Sequence, residues 1–429
     1  MTAADGLYRS LQRLLRASTP VLGRGTSKLS HAVAGRGSSS KGLVAWGTAH
    51  RDPARPGAWF HAPSVGEGLQ ARAVLDALLV RRPSLQAVFT HFSPSAEGLA
   101  ARMPAEWAGY LPWDLPEEMG PALDAAQPGV VAFTKTEVWP VLVAEAARRS
   151  VPVALVGGTV PPGARRARWP GRALLRPTWS RLTLVCAMTN GDAERFRGLG
   201  VPRGALRVTG DPGVDSAASR AGSAEPGAAH LRPFREEPRP TLVAGSTWPS
   251  DLRVLLPALD AARRSVPALR IIVAPHEPSP DRVRALLSEL SGRGWRARSL
   301  AEVERRGAAG ADAVVVDRVG VLAALYTVGE VAYVGGGFRG AGLHSVLEPA
   351  AASLPVIFGP RHANARAAGE LLAAGGAREV RGPGDLAEVL ASWLGGGVGH
   401  DYAAHQAIGY IHGHLGAAAR TAALLDELT

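Results

Sequence analysis

The amino-acid sequence predicts an α/β protein in which one plan is used twice: a mostly parallel sheet with helices on both faces, then a second of similar size. Three observations carry this. Short apolar runs of strand length alternate with stretches of helical length from residue 59 to residue 199. The alternation breaks at 216–240, which is rich in Ala, Gly, Ser, Pro and Arg, and restarts at Thr241. Residues 331–360, VAYVGGGFRGAGLHSVLEPAAASLPVIFGP, then read as strand, glycine loop, helix and strand, a single βαβ unit.

In chain order, Leu7, Leu11, Leu14 and Leu15 share one helical face, with Arg9, Arg13 and Arg16 off it. Such a short basic amphipathic helix can lie in an anionic membrane interface or dock on the protein's own body. Residues 23–41, GRGTSKLSHAVAGRGSSSK, read as a flexible or loosely packed connector. The first series predicts strands at 59–61, 86–90, 129–133, 153–156 and 182–186. The second predicts strands at 241–244, 269–274, 313–316, 331–334 and 354–358, with a helix over 343–353. The expected division is therefore 1–41 for the amphipathic helix and connector, 42–215 for a first domain and 216–240 for a linker. A second domain follows at 241–400, and helices at 401–429 that could pack back on the first.

Composition narrows the partners. A length of 429 residues with 46% hydrophobic content is ample for two sizeable cores. Lys and Arg number 48 against 37 Asp and Glu, a net charge of +11, which favours an anionic partner: nucleic acid, a phosphorylated substrate or an acidic membrane surface. A GC-rich genome would also raise the arginine content. The single Cys186 excludes an intramolecular disulfide and a cysteine-based zinc site, and fits a reducing compartment. No stretch reads as a transmembrane helix or a cleavable signal peptide.

In open parallel sheets ligands bind beyond the C-terminal strand ends. The polar clusters at such ends are Ser64-Val65-Gly66-Glu67, Thr134-Lys135-Thr136-Glu137, Gly245-Ser246-Thr247, Pro275-His276-Glu277, Asp317-Arg318-Val319-Gly320 and the loop Gly335-Gly336-Gly337. A carboxylate such as Glu67 or Glu137 can deprotonate an attacking hydroxyl. Glu67 can equally be a favourable charge at a helix start, and Glu137 an ion-pair partner of Lys135 or Arg148. Glycines let backbone N–H groups approach a phosphate, although a tight turn also requires them. Ser345 and Glu348 have capping-box spacing; the other reading of Glu348 is a grip on a nucleotide ribose. Arg165, Arg166 and Arg168 lie in a basic loop, PPGARRARWPGR. No H-x-x-x-H or H-x-H pair with acidic neighbours is present, so a metal site has little support. These residues alone leave open a sugar-nucleotide transferase, an epimerase or a non-catalytic nucleotide-binding scaffold.

The motifs together resemble one family. WFHAPSVGEG resembles the H-A-x-S-V-G-E segment of bacterial 3-deoxy-D-manno-octulosonic acid (Kdo) transferases, and TKTEVWP resembles their E-T-E-L-W-P. AGSTWPSD, IIVAPHEP, DRVGVLAALY and GGGFRGAGLHSVLEPAAASLPVIFGP resemble the family's donor-site segments in the same order. The resemblance runs from about Leu7 to Leu390. It implies a GT-B fold, two Rossmann-like domains facing across a cleft, and inverting transfer of Kdo from CMP-Kdo to a lipid A precursor with no metal or other cofactor. It implies Glu67 as catalytic base, with Glu137 as a second catalytic glutamate. Donor contacts fall to Ser246, Thr247, His276, Val319, Gly320, Gly335, Gly336, Gly337, His344, Ser345 and Glu348. Acceptor contacts fall to Ser64, Gly66, Lys135, Arg165, Arg166 and Arg168. The place of action would be the cytoplasmic face of the inner membrane, peripheral or monotopic, with an anionic lipid surface and not nucleic acid as partner. Lys135 stands where the family usually has glutamate, Ser345 where asparagine is common, and His276 in a loop that is often P-R-H.

Overall fold

Two parallel sheets, each of seven strands, carry the protein. The structure is a computed structural model and describes residues 3–18, 28–164, 168–340 and 342–429. The chain divides into one unit of Met1–Ser216 with Leu415–Thr429 and another of Ala217–His414.

In the first unit the strands are β1 (Gly57–His61), β2 (Gln86–His91), β3 (Trp107–Tyr110), β4 (Val130–Thr134), β5 (Val153–Gly158), β6 (Leu184–Ala187) and β7 (Leu206–Val208). Their order is β3-β2-β1-β4-β5-β6-β7, every pair parallel. β1, β2, β4 and β5 are buried along their whole length, as apolar strands covered on both faces must be. Successive residues of β1 feed opposite cores: Trp59 packs with Phe133 and Trp179, whereas Phe60 packs with Phe89 and Leu75.

The second unit repeats the plan with β8 (Thr241–Thr247), β9 (Arg270–Pro275), β10 (Ala297–Ser299), β11 (Ala313–Val315), β12 (Val331–Val334), β13 (Val356–Phe358) and β14 (Ala377–Glu379). Their order is β10-β11-β9-β8-β12-β13-β14, again all parallel.

Three expectations need correction. Residues 28–41 of the expected connector lie in a helix, Lys28–His50; residues 23–27 fall outside the described residues. Gly35 and Gly47 serve close packing. A Cβ on Gly35 would sit 2.3 Å from the Tyr110 ring, and one on Gly47 2.4 Å from the Ala125 carbonyl oxygen. The expected linker 216–240 holds the end of the helix Pro212–Gly222 and the helix Arg232–Glu236, and Leu231 and Phe234 are buried in a core of the second unit. The expected helix over 343–353 shrinks to Leu347–Ala351, because the Asn364 side chain takes both the N–H and the C=O of Leu343, at 2.9 and 2.8 Å.

Past residue 400, the helix Val398–His414 belongs to the second unit. The helix Ala417–Asp426 belongs to the first, where Ala418, Ala422 and Leu425 join the core beneath the helix Val65–Arg81. Its start is held by Asp215, whose carboxylate accepts from the N–H groups of Gly416 and Ala418 at 2.7 and 3.1 Å.

Candidate active site

In each unit the polar clusters gather where the strand order reverses. In the first unit that point lies between β1 and β4, which pair directly. The chain leaves β1 through Ala62 and Pro63 and enters the helix Val65–Arg81, with Ser64 as N-cap and Glu67 in the first turn. It leaves β4 through Lys135, which turns the chain with a positive φ of 69°. Lys135 Nζ thereby reaches Glu67 Oε1 at 3.2 Å, and the Ser64 hydroxyl donates to Glu67 Oε2. The Glu67 side chain is 17% exposed. Burial pushes its carboxyl up, but the Lys135 charge and the Ser64 hydroxyl outweigh this and hold it below the usual range. Glu67 is therefore a carboxylate at neutral pH, with one oxygen held by a cation. Gly66 is exposed, and a Cβ there would meet nothing within 4 Å.

The last residue of β1 is a fixed histidine, His61. Trp139 Nε1 donates to His61 Nε2 at 3.1 Å, so Nδ1 carries the proton toward Thr90 Oγ1 at 3.0 Å. Burial lowers the His61 pKa to about 3, so the ring stays neutral and acts as a strut. Of the two partners expected for Glu137, Lys135 bridges to Glu67 and Arg148 to Glu145. The Glu137 charge favours the ionised form of Arg36, whose pKa burial lowers to about 10.

Arg36 and Asp114 were missed in the sequence. Arg36 sits in the helix read as a connector. Its guanidinium lies 4.4 Å from the centre of the Trp113 ring, 5.0 Å from Trp139 and 5.2 Å from Phe92, and donates to the carbonyls of Leu111 and Pro112. Asp114 is fully buried and accepts from the N–H groups of Val141 and Leu142 at 3.0 and 2.8 Å and from the Tyr8 hydroxyl at 2.8 Å. The N-terminal helix Ala3–Ala17 is thus docked through Tyr8, with Arg13–Glu117 and Arg16–Glu118 ion pairs beside it. Leu7, Leu11 and Leu14 remain 75%, 53% and 67% exposed. No helix among the described residues is long and apolar enough to cross a membrane. Of the basic loop, Arg168 is exposed, and Arg165 and Arg166 lie outside the described residues.

In the second unit the order reverses between β8 and β12, which also pair directly. β8 ends at Ser246, with a positive φ of 54°, and at Thr247, buried with its hydroxyl on the Ala274 carbonyl at 3.3 Å. Trp248, His276 and His344 then stack: 4.4 Å separates the ring centres of Trp248 and His276, and 4.4 Å those of His276 and His344. Trp248 Nε1 donates to His344 Nε2 at 2.9 Å. Burial and the nearby charges of His276 and Arg339 lower the His344 pKa to about 4, so the ring is neutral. The Arg339 guanidinium lies 3.7 Å from the centre of the Trp248 ring.

The glycine loop does not act as the expected phosphate cradle at its first two positions. The Gly335 N–H donates to the Gly245 carbonyl at 2.9 Å, and the Gly336 N–H to Asp251 Oδ2 at 3.0 Å. Close backbone approach explains the glycines: a Cβ on Gly335 would lie 2.3 Å from the Ser246 carbonyl oxygen, and one on Gly337 2.4 Å from the Gly359 nitrogen. The capping box is absent too. Ser345 Oγ accepts from the Leu347 N–H at 3.3 Å, while the Glu348 carboxylate pairs with Arg220. Val319 and Gly320 are exposed at the end of their loop.

The sequence of the first unit matches the family model described as 3-Deoxy-D-manno-octulosonic-acid transferase (kdotransferase) over residues 38–216. The 3-deoxy-D-manno-octulosonic acid transferase of Bordetella pertussis is 30% identical over 335 residues, 74% of this chain and 75% of that protein. The chain belongs to the Kdo transferase family. The Kdo transferase of Haemophilus influenzae is 28% identical over 72% of this chain and 71% of its own length. The chain is thus a glycosyltransferase. Its fold is GT-B, shared with the UDP-GlcNAc 2-epimerase of Neisseria meningitidis bound to UDP-GlcNAc, at a TM-score of 0.58 and 13% identity over 87% of this chain and 99% of that one. A putative UDP-N-acetylglucosamine 2-epimerase of Listeria monocytogenes aligns with the same TM-score of 0.58 at 11% identity, covering 82% of this chain and 91% of that one. Likeness at that identity speaks for the fold alone; the sequence relatives decide the family.

Proposed function

We propose that this Kdo transferase moves Kdo from CMP-Kdo to a hydroxyl of a lipid A precursor in lipopolysaccharide core biosynthesis, with inversion at the anomeric carbon and Glu67 as general base. The observation that carries the reading is the ionised Glu67 carboxylate at the strand-order reversal of the unit that matches the family model. The first unit binds the acceptor and the second binds the donor.

The mechanism follows from the chemistry of the groups present. A Glu67 oxygen takes the proton of the acceptor hydroxyl. The acceptor oxygen bonds to the anomeric carbon of Kdo as the bond from that carbon to the phosphate oxygen of CMP breaks, and CMP leaves with the electron pair. Glu67 must be ionised and close by, and both conditions favour it over a group shielded in the core. Ser64 and Lys135 hold the carboxylate and, with Gly66 and the arginines near 168, form the acceptor side. Ser246, His276, His344, Ser345 and Glu348 form the donor side, and Glu137 supports the acceptor side through its field on Arg36. Incubation with CMP-Kdo and a lipid A precursor, followed by mass analysis of the lipid, tests the reading. A lipid mass unchanged after exhaustive incubation would reject it.

Lys135 sets the working pH of the base. Its charge lowers the Glu67 pKa, and burial alone would raise it. In Lys135→Met the largest lowering cause is gone and only the hydrogen bonds to the carboxylate remain, so the acid limb of kcat/KM moves to higher pH, and activity returns once the pH passes the raised pKa. An acid limb that stays in place would show that Lys135 does not govern the base.

The exposed leucine face supports attachment to an anionic lipid surface, at the cytoplasmic face of the inner membrane where the lipid acceptor is made. Since Tyr8 and the two arginine pairs dock this helix, substitution of the outer face tests the idea without uncovering Asp114. Leu11→Gln with Leu14→Gln should weaken binding to anionic phospholipid vesicles by about tenfold or more, with the thermal midpoint unchanged. Equal vesicle binding by parent and variant would exclude this face.

A further inference from the structure

We infer that Arg339, seated on Trp248, is the cation that receives the phosphate of the nucleotide in the second unit, with Arg361 assisting. The inference rests on the reading of that unit as the donor site and names the group that replaces the expected glycine cradle.

A nucleotide phosphate needs donors or cations, and the nearby candidates are mostly committed. The N–H groups of Gly335 and Gly336 are bonded within the fold, at 2.9 and 3.0 Å. The helix that follows, Leu347–Ala351, is a five-residue turn too short to offer an anion site. His344 is neutral and accepts the Trp248 N–H. Arg220 is neutralised by Glu348.

Arg339 differs from all of these. Its guanidinium rests on the indole at 3.7 Å and has no ion-pair partner among the described residues. A guanidinium stacked face-on on an aromatic ring keeps its N–H edge for a bidentate bond to phosphate oxygens. The seat is rigid. The other face of the indole packs on His276, its N–H is bonded to His344, and the Trp248 backbone N–H is bonded to Asp251 at 2.9 Å. Because Trp248 follows β8 and Arg339 follows β12, the seated cation lies at the point where the strand order reverses. Arg361 flanks the same loop. Its Nη1 would lie 3.8 Å from a Cβ on Gly340, its backbone N–H donates to the Gly337 carbonyl at 2.9 Å, and it too lacks an ion-pair partner among the described residues. A cation held in place before the ligand arrives costs less ordering on binding than a mobile side chain.

The test is calorimetric titration of the full chain with CMP and, separately, with cytidine, which lacks the phosphate. The parent should bind CMP more tightly than cytidine. Arg339→Gln should lose about tenfold or more in CMP affinity, with cytidine affinity within about twofold of the parent and a weaker salt dependence. Arg339→Lys keeps the charge without the flat face and should fall between the two. A smaller loss is expected for Arg361→Gln. The thermal midpoint of each variant, read on the same preparation, should match the parent; if Arg339→Gln fails to fold, Arg339→Lys decides. Parental CMP affinity in Arg339→Gln, or equal losses for CMP and cytidine, would overturn the inference and leave the donor reading standing. A parent that binds neither ligand would reject the donor reading and this inference with it.

Discussion

Transfer by Glu67→Gln should fall by at least about a hundredfold, with the fold and CMP affinity preserved. A sugar hydroxyl is a weak nucleophile at neutral pH, and a positioned carboxylate contributes about 10²–10⁴-fold by taking its proton. Glutamine keeps the size of the side chain: its one carbonyl oxygen can still accept from Lys135 and its NH2 group can donate to the Ser64 hydroxyl, but it cannot take up a proton. The residue is in the first turn of its helix, so the rival reading is a charge that only stabilises the helix start, worth under about 1 kcal/mol. That reading predicts a small drop in thermal midpoint and normal turnover. One preparation, measured for thermal midpoint, CMP affinity and turnover, separates the two. Near-parental turnover would remove Glu67 as base.

The second large effect is expected at Asp251. This carboxylate is fully buried and accepts from the Trp248 N–H at 2.9 Å, the Gly336 N–H at 3.0 Å and the Tyr333 hydroxyl at 3.2 Å. It ties the end of β8 to the glycine loop after β12. Asp251→Ala leaves these donors without their acceptor, and each buried unsatisfied group costs about 1–3 kcal/mol. The second unit should lose about 3 kcal/mol or more in urea unfolding, and CMP affinity should fall with it because the seat of Trp248 loosens. Asp251→Asn keeps one carbonyl oxygen and should lose less. A cost below about 1 kcal/mol for Asp251→Ala would show that water or a rearranged loop satisfies the donors.

The ten inner strands of the two sheets were legible in the sequence because they are buried on both faces and read as unbroken apolar runs. The strands that went unread are β3, β7, β10 and β14, and each is the edge of its sheet. Edge strands are short here, WAGY, LRV, ARS and ARE, and need no apolar pattern because one side has no neighbour. Glycine misled in both directions. In the helix Lys28–His50, Gly35 reads as flexibility and serves packing; in the loop 335–337, the N–H groups of Gly335 and Gly336 read as part of a ligand cradle and are bonded within the fold. The placement of Glu67 in the first turn of the helix after β1 was legible because a strand, a turn and a helix start are local features. The Lys135–Glu67 pair spans 68 positions and Tyr8–Asp114 spans 106, distances at which one sequence carries no signal of contact. Arg36, Asp114 and Asp251 were hidden for the same reason: their meaning lies in partners that only the fold brings near.

The placement of the helix Ala417–Asp426 bears on how the protein is made. A ribosome delivers residues 217–414 before this helix exists, so the second unit can fold while the first still lacks part of its interior. Until residues 415–429 emerge, the surface of Val65–Arg81 that Ala418, Ala422 and Leu425 will cover stays open to solvent, and so does the place of the Asp426 carboxylate beside Arg81 and Arg82. Synthesis that halts late therefore harms the earlier-made half. The nascent polypeptide carries a sticky apolar patch on the helix that bears Glu67, and a chaperone has reason to hold it there until residues 415–429 have emerged.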